Sequence, residues 1–485
     1  MDYPPFEQQY TAYPPPEPEP TPTPRSHDPV AVAVGNASLL SVGYFMLGRP
    51  RLAVVTLVIT VGLLALLVTT VPTLAFEILI LLWWLVLIGH GWFLAGGRTR
   101  GVVLWWPQRA VALVVTVLVL LAFGLLRFDD ITIGQTVAQA RQSGNCEQAL
   151  TAMDGVWLGN RLADAPSTAD GDLAVQACQR LDVARSKLTT GLTGDSNALK
   201  AGFDGLGAVL ADLPGHEKMV DVALSGFLAG LPGKDPCHAA AVTDWLRQRK
   251  PTHNDLDRSA AVVPKVAPDA LVGCGDNLMS SNDWETARKR YQQLLDQYPG
   301  NALTAKAQDG VTKATQAIEL ANVRRLLADT TDGQPAYCSQ PAQYSAAPAY
   351  GHGVNPSLIY GTDEYAQELP GGWQVSDPAQ AVVVICAGTK DYGDPVQTCP
   401  YTAESGVFST IPTDVTFHKI AVPVKAYELR TGKLITDKAV QIGGASCPDT
   451  IHWSSALDDS PPPKDMYVTS SPPDVVAAFG TVINP

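Results

Sequence analysis

The chain has 485 residues, 46% of them hydrophobic, and a formal net charge of −13 at pH 7. That length predicts two or three domains, and the acidic balance excludes nucleic acid as a partner, because phosphate contacts need clustered Lys and Arg. It also argues against a soluble part that docks on anionic lipid.

Residues 1–29 are dominated by Pro, Glu, Thr and Tyr and show no apolar periodicity. Such a segment buries too little surface to offset its ordering entropy, so a disordered Pro-rich tail is expected. No basic region followed by an early apolar stretch marks it as a signal peptide.

Residues 30–127 are the predicted transmembrane region. Three apolar runs, 52–71, 73–95 and 110–126, are each long enough to cross a hydrocarbon core of roughly 30 Å as a helix. The stretch 30–47 is weaker, with Gly35, Asn36, Ser38, Ser41 and Gly43, and either re-enters or forms a fourth span inside the bundle. Arg49 and Arg51 precede the first run, and Arg98, Arg100 and Arg109 separate the second from the third. The turn at Pro72 has no basic residue, so both Arg-bearing loops are read as cytoplasmic and everything after Arg127 as extracytoplasmic. Glu77 and His90 lie within the second run. Their spacing sets them more than about 100° apart on a helix, which predicts interface anchoring or bundle packing rather than a proton path.

All eight cysteines follow the last run: Cys146, Cys178, Cys237, Cys274, Cys338, Cys386, Cys399 and Cys447. No pair has C-x-x-C spacing, and an even number on one side of the membrane reads as disulfides in an oxidising compartment. Cys146 with Cys178, Cys237 with Cys274, and Cys386 with Cys399 are pairings the spacing allows. Eight cysteines permit about a hundred connectivities, and the sequence does not choose among them.

Residues 128–330 read as helices with short loops. Ile133, Val137 and Ala140 recur at helical spacing before a turn at Gly144 and Asn145. Leu173, Val175, Cys178, Leu181, Ala184 and Leu188 form a further apolar face. At 268–301, Gly275, Trp284, Ala287, Tyr291, Leu294 and Pro299 occupy the small, aromatic and proline positions of a tetratricopeptide (TPR) unit. The small residues let two helices approach, the aromatics fill the groove between them, and Pro299 stops the second helix. The stretch DWETARKRYQQLLDQYP resembles the second helix of such a repeat, which implies a peptide- or protein-binding surface and no catalysis. Arg288, Arg290 and Gln293, on its exposed face, are interaction candidates.

Residues 331–485 read as a small, mainly-β (α+β) domain with an antiparallel sheet. The run 381–386 suits a buried strand, 397–402 a return strand, and 419–429 with 433–442 a hairpin about Thr431 and Gly432. A short helix is expected near 474–479. The segment 332–380 is rich in Gly, Pro and Tyr, and its Tyr350, Tyr360 and Trp373 are candidates for a peptide- or glycan-binding aromatic surface. The pattern CAG…TCPY…VPVKAYELRTGKLI…GGASCP resembles the C-terminal domain of uncharacterised multi-span membrane proteins of actinomycetes. That resemblance covers most of the chain after residue 30 and implies no activity.

Nucleophile elbows, P-loops, zinc-protease helices and dinucleotide fingerprints are missing. The six histidines after residue 200 are scattered, and Asp458, Asp459 and Asp465 read as a solvated acidic loop without EF-hand spacing. No catalytic residue, cofactor or metal is expected. The function expected is extracytoplasmic protein interaction or scaffolding at the cell envelope, with the bilayer and a protein as partners. The alternative is a module that binds a small molecule or cell-wall fragment.

Overall fold

A computed structural model describes residues 27–97, 106–331, 333–402, 412–453 and 461–485. The Pro-rich tail up to residue 26, Arg98, Arg100, Asp458 and Asp459 lie outside the described residues. The chain divides into two compact units: residues up to Gly230 with Lys250–Ser259, and Leu231–Arg249 with Ala260–Pro485. The helical stretch 128–330 is therefore shared between the two units.

The first unit opens with α1 (Pro29–Ala37) and α2 (Val42–Met46). The chain breaks between them at Leu39 and Ser41, whose φ angles are 62° and 57°. Nine and five residues fall short of the ~20 a span requires, so the stretch 30–47 supplies no fourth span. Its polar residues are satisfied inside the bundle. The Asn36 amide donates to Leu87 O at 3.2 Å and its carbonyl accepts from Tyr44 N at 3.2 Å. Gly35 and Gly43 permit the close turn: a Cβ on Gly35 would stand 2.9 Å from Gly43 N.

Three helices are long and apolar enough to cross a membrane: α3 (Pro50–Thr69), α4 (Leu74–Leu94) and α5 (Trp106–Ser143). Large aliphatic side chains point outward from them, with Val58, Leu118 and Leu125 each about two-thirds exposed. Helix α5 continues without a break through Arg127 to Ser143, so the apolar segment and the following polar helix are one rod of 38 residues. Gly144, at φ 76°, turns the chain, and the Asn145 side chain caps α6 (Cys146–Asp154). Next come α7 (Leu158–Ala163), α8 (Ala165–Gly191), α9 (Ser196–Asp212) and α10 (Glu217–Ala229). The buried face of α8 runs through Ala174, Ala177, Cys178, Leu181, Ala184 and Leu188, while Leu173 points outward. Alanines at this spacing, rather than the flanking Leu173, set the register. The disulfide Cys146–Cys178 fastens α6 to α8 with a Cα separation of 5.4 Å.

The second unit begins with α11 (Pro236–Gln248), α12 (Val263–Ser280), α13 (Trp284–Gln297) and α14 (Thr304–Ala328). Cys237–Cys274 joins α11 to α12. Ala287, Tyr291 and Leu294 are buried between α12 and its neighbours, whereas Trp284 is half-buried at the start of α13. Helix α13 ends at Gln297, and Pro299–Gly300 makes the turn.

A two-residue ladder of β1 (Thr330–Thr331) with β2 (Gln334–Pro335) leads into a six-stranded sheet. Its strands are β3 (Ser357–Tyr360), β4 (Val383–Ala387), β5 (Asp391–Tyr401), β6 (Thr413–Glu428), β7 (Leu434–Ile442) and β8 (Asp465–Tyr467). A short α15 (Asp363–Ala366) follows β3. The sheet is mixed rather than antiparallel: β3 pairs β4, and β8 pairs β6, in parallel. The long β6 organises the rest. Residues Ala421 and Ala426 each have partners on both sides, which places β5 and β4 along one edge of β6 and β7 along the other.

The expected hairpin is present, with Gly432 at φ 68° in its turn. The return strand expected at 397–402 begins earlier, as β5 from Asp391, and pairs with β6 and not with β4. Cys386 accordingly bonds Cys338 and Cys399 bonds Cys447, correcting the Cys386–Cys399 pairing. Helix α16 (Pro472–Ile483) closes the domain, longer than expected at both ends.

Candidate functional site

A groove of the second unit lies between β7 and α16. Helix α16 is started by a capping box, with the Asp474 carboxylate accepting from Ser471 N at 2.9 Å. Val475, Phe479, Val482 and Ile483 recur at helical spacing and are buried on the sheet with Val422, Val440 and Ile442. This packing leaves the flank bearing Ala477, Ala478 and Thr481 facing β7 across a groove of about 680 Å³. One end is fixed by the loop carrying Tyr350: its hydroxyl donates to Val482 O at 2.9 Å and its amide to the Glu428 carboxylate at 3.2 Å. Asn355 N then donates to Ile483 O at 2.8 Å, anchoring the end of α16.

The strand side of the groove is an edge. Side chains alternate between the two faces of a strand. Thr436, Lys438 and Val440 of one face and Ala439 and Gln441 of the other all line the groove, so its wall includes the main chain between them. Among the described residues, β7 has no ladder partner other than β6.

The sequence-derived candidates distribute unevenly about this site. Tyr350 lines it. Trp373 packs under α16, 3.4 Å from where a Cβ on Gly480 would be, and belongs to the core. Tyr360 packs against the cluster on the opposite face of the sheet, and burial pushes its phenol pKa up. On α13, Arg290 donates to Asp244 at 2.9 Å, and Gln293 bonds both Arg290 and Asp244, so the two residues fasten α13 to α11. Arg288 pairs with Glu285 at 2.8 Å and lines a shallow depression of about 340 Å³ with Lys289, Gln292 and Val311. Sequence reasoning missed Ala439, Ala477 and Thr481. A small residue on a strand or helix carries no signal until the strand order shows that it faces a groove.

A second surface lies at the other end of β6. The Tyr392 and Tyr467 rings stack at 4.4 Å, and Lys390 Nζ stands 5.7 Å over Tyr467. His418 beside them donates from Nδ1 to Gly393 O at 3.0 Å, while Nε2 lies 2.8 Å from the Asp465 carboxylate. With acceptors at both ring nitrogens, only the imidazolium satisfies both. The carbonyl of Gly393 foremost, and the Asp465 carboxylate after it, hold the His418 pKa above its usual value.

In the first unit, His90 Nδ1 lies 2.8 Å from the Tyr44 hydroxyl, and Glu77 is 3.7 Å from Arg127. The two groups have separate partners, as their helical register predicts. Arg127 also bonds Ala163 O and stands 3.4 Å from Asp164. Nearby, both carboxyl oxygens of Asp130 are buried without a hydrogen-bond partner among the described residues. Burial pushes this carboxyl up, with Asp164 and Asp129 adding to the rise and Asn160 and Arg127 opposing it. No group of three or more His, Cys, Asp or Glu among the described residues is placed to hold a metal ion. No protein-family model, curated protein or solved structure matches the chain.

Proposed function

We propose that the chain is a membrane-anchored protein whose disulfide-bearing region lies outside the cytoplasm and serves protein interaction or scaffolding at the cell envelope. The observation that carries the interaction role is the groove between β7 and α16, open along a strand edge. Location is supported by the order of features: three apolar helices first, then four disulfides, all after α5. The α12–α13 hairpin supports a TPR-like reading, since Gly275, Ala287, Tyr291 and Leu294 pack as that repeat requires. Its Arg290 and Gln293 are used internally, which moves the proposed partner site from this arm to the C-terminal domain.

The test is in-cell photocrosslinking from Thr481, on the groove, in the full chain and in a chain ending at Leu327 carrying the photoprobe at Gln292. A discrete protein captured only by the full chain supports the reading. A protein captured by both moves the site to the helices, and capture of glycan alone sinks the scaffold. The stacked Tyr392–Tyr467 pair favours a second reading, a module that binds a cell-wall fragment. That reading expects a rise in melting temperature with soluble cell-wall fragments, abolished by Tyr392→Ala.

A further inference from the structure

Main-chain directions along β6 fix which groups of β7 face the groove. Gly388 N donates to Pro423 O at 2.8 Å and Leu429 N to Val382 O at 2.9 Å, so the odd residues of β6 in this stretch bond toward β4. Glu428 N donates to Lys433 O at 2.9 Å, and His418 O accepts from Val468 N at 2.9 Å, so the even residues bond toward β7 and β8. Ala439 stands opposite Pro423, Asp437 opposite Lys425 and Gln441 opposite Ala421. In an antiparallel ladder, residues opposite each other either exchange both hydrogen bonds or direct both groups away. Asp437, Ala439 and Gln441 therefore point their N–H and C=O groups away from β6, into the groove. None of these main-chain groups bonds another described residue.

We infer that the groove accepts an extended peptide segment of a partner protein, added antiparallel to β7 as a seventh strand. This rests on the interaction reading above and specifies its mode. Three residues at alternate positions offer paired donors and acceptors about 6.8 Å apart, a spacing that matches another extended main chain. Side chains on the α16 side of the incoming strand meet Ala477, Ala478 and Thr481, whose small size leaves room for aliphatic groups. Lys438, on that same face of β7, has no ion-pair partner among the described residues and suits a carboxylate on the segment.

The test uses the full chain in lipid nanodiscs and a phage-displayed library of random linear peptides. The best clone is synthesised, and hydrogen exchange is read at single-amide resolution. Bound peptide is expected to slow exchange at Asp437, Ala439 and Gln441 and leave the already bonded amides of Lys438 and Val440 unchanged. Ala439→Pro removes an outward N–H without touching the ladder to β6 and is expected to weaken binding about tenfold. Ala477→Trp fills the groove from an exposed helix position and is expected to abolish binding, while both variants keep the wild-type circular dichroism. A library that yields no binder, or a binder that protects other amides, overturns the inference. So does protection of the same three amides that grows with protein concentration alone, which assigns the edge to a second copy. If Thr481 still captures the same discrete protein when Ala477→Trp is present, strand addition fails while the interaction reading stands.

Discussion

His418 and Asp130 are two buried or half-buried ionisable residues whose surroundings raise both pKa values, so each costs the fold stability as pH rises, in different pH windows. His418 has a carbonyl at one ring nitrogen and a carboxylate at the other, and its pKa is raised. A raised histidine stabilises the fold fully below its ordinary value, and that contribution is lost as pH rises through the raised value. His418→Gln is therefore expected to lower the melting temperature at pH 5.5 by more than at pH 9, where the two proteins converge. An equal deficit at both pH values would mean that packing, not charge, is lost. Asp130 acts in the same direction from the lower carboxylate range upward. Its raised pKa means that the folded state holds the proton more tightly than the unfolded chain, so folding is disfavoured as pH rises above the usual carboxylate range. Asp130→Asn keeps the shape and removes the charge. It is expected to raise the melting temperature by about 2–4 °C at pH 8 and by less at pH 4. Neither residue stands out in the sequence. His418 looks like any of six scattered histidines, and Asp130 like a solvated acid at the end of an apolar run, because the groups that surround them include residues from elements remote in sequence.

Among the elements, the helical hairpin of α12 and α13 was legible and its third neighbour was not. Gly275, Ala287, Tyr291 and Leu294 sit where the spacing placed them. The Tyr291 ring, however, lies between two glycines: a Cβ on Gly275 would meet it at 2.5 Å and a Cβ on Gly310 of α14 at 2.7 Å. Gly310 carries no periodic signal of its own, because a lone glycine in a helix reads only as a weak position. Both Gly275→Ala and Gly310→Ala are expected to cost about 1–3 kcal/mol in a urea melt followed by circular dichroism. Combining Gly310→Ala with Tyr291→Leu is expected to recover part of that cost, since the clash is with the ring. Additive losses would show that the cost at Gly310 does not come from contact with the ring. The β domain was legible to a similar depth. Continuous apolar and alternating runs located β4, β6 and β7, and the Thr-Gly turn joined the last two. The order of strands was not legible, because β5 partners a strand that follows it and each disulfide of this domain ties a strand to a segment 48 residues away. That is why the pairing of Cys386 with Cys399, one of those the spacing allows, is not the one formed.

At the scale of the whole molecule, the first helix answers a question that hydropathy leaves open. A stretch of 18 mixed residues at 30–47 reads equally as a span or as a re-entrant segment, and the side of the N-terminal tail depends on which it is. The break at Leu39 and Ser41 removes the span, and one ion pair then orients the start of the chain. Asp28, fully buried at the N-cap of α1, bonds Arg109 at the start of α5, with Nη2 to Oδ1 at 3.2 Å. Glu77, in the first turn of α4, meets Arg127, which follows the apolar part of α5. Residue 28 therefore lies at the end of the bundle that carries Arg49, Arg51 and Arg109, the end that the positive-inside rule assigns to the cytoplasm. The tail is expected on that side, and the disulfide-bearing helices on the other. Single cysteines introduced at Thr11 and at the exposed Ser196 report this directly, because all eight native cysteines are bonded. In intact cells a membrane-impermeant maleimide is expected to label Ser196→Cys and spare Thr11→Cys until the membrane is opened with detergent. Labelling of both in intact cells would place the tail outside and require a fourth crossing. Labelling of Thr11→Cys alone would invert the bundle and put four disulfides in a reducing compartment, against the chemistry that maintains them.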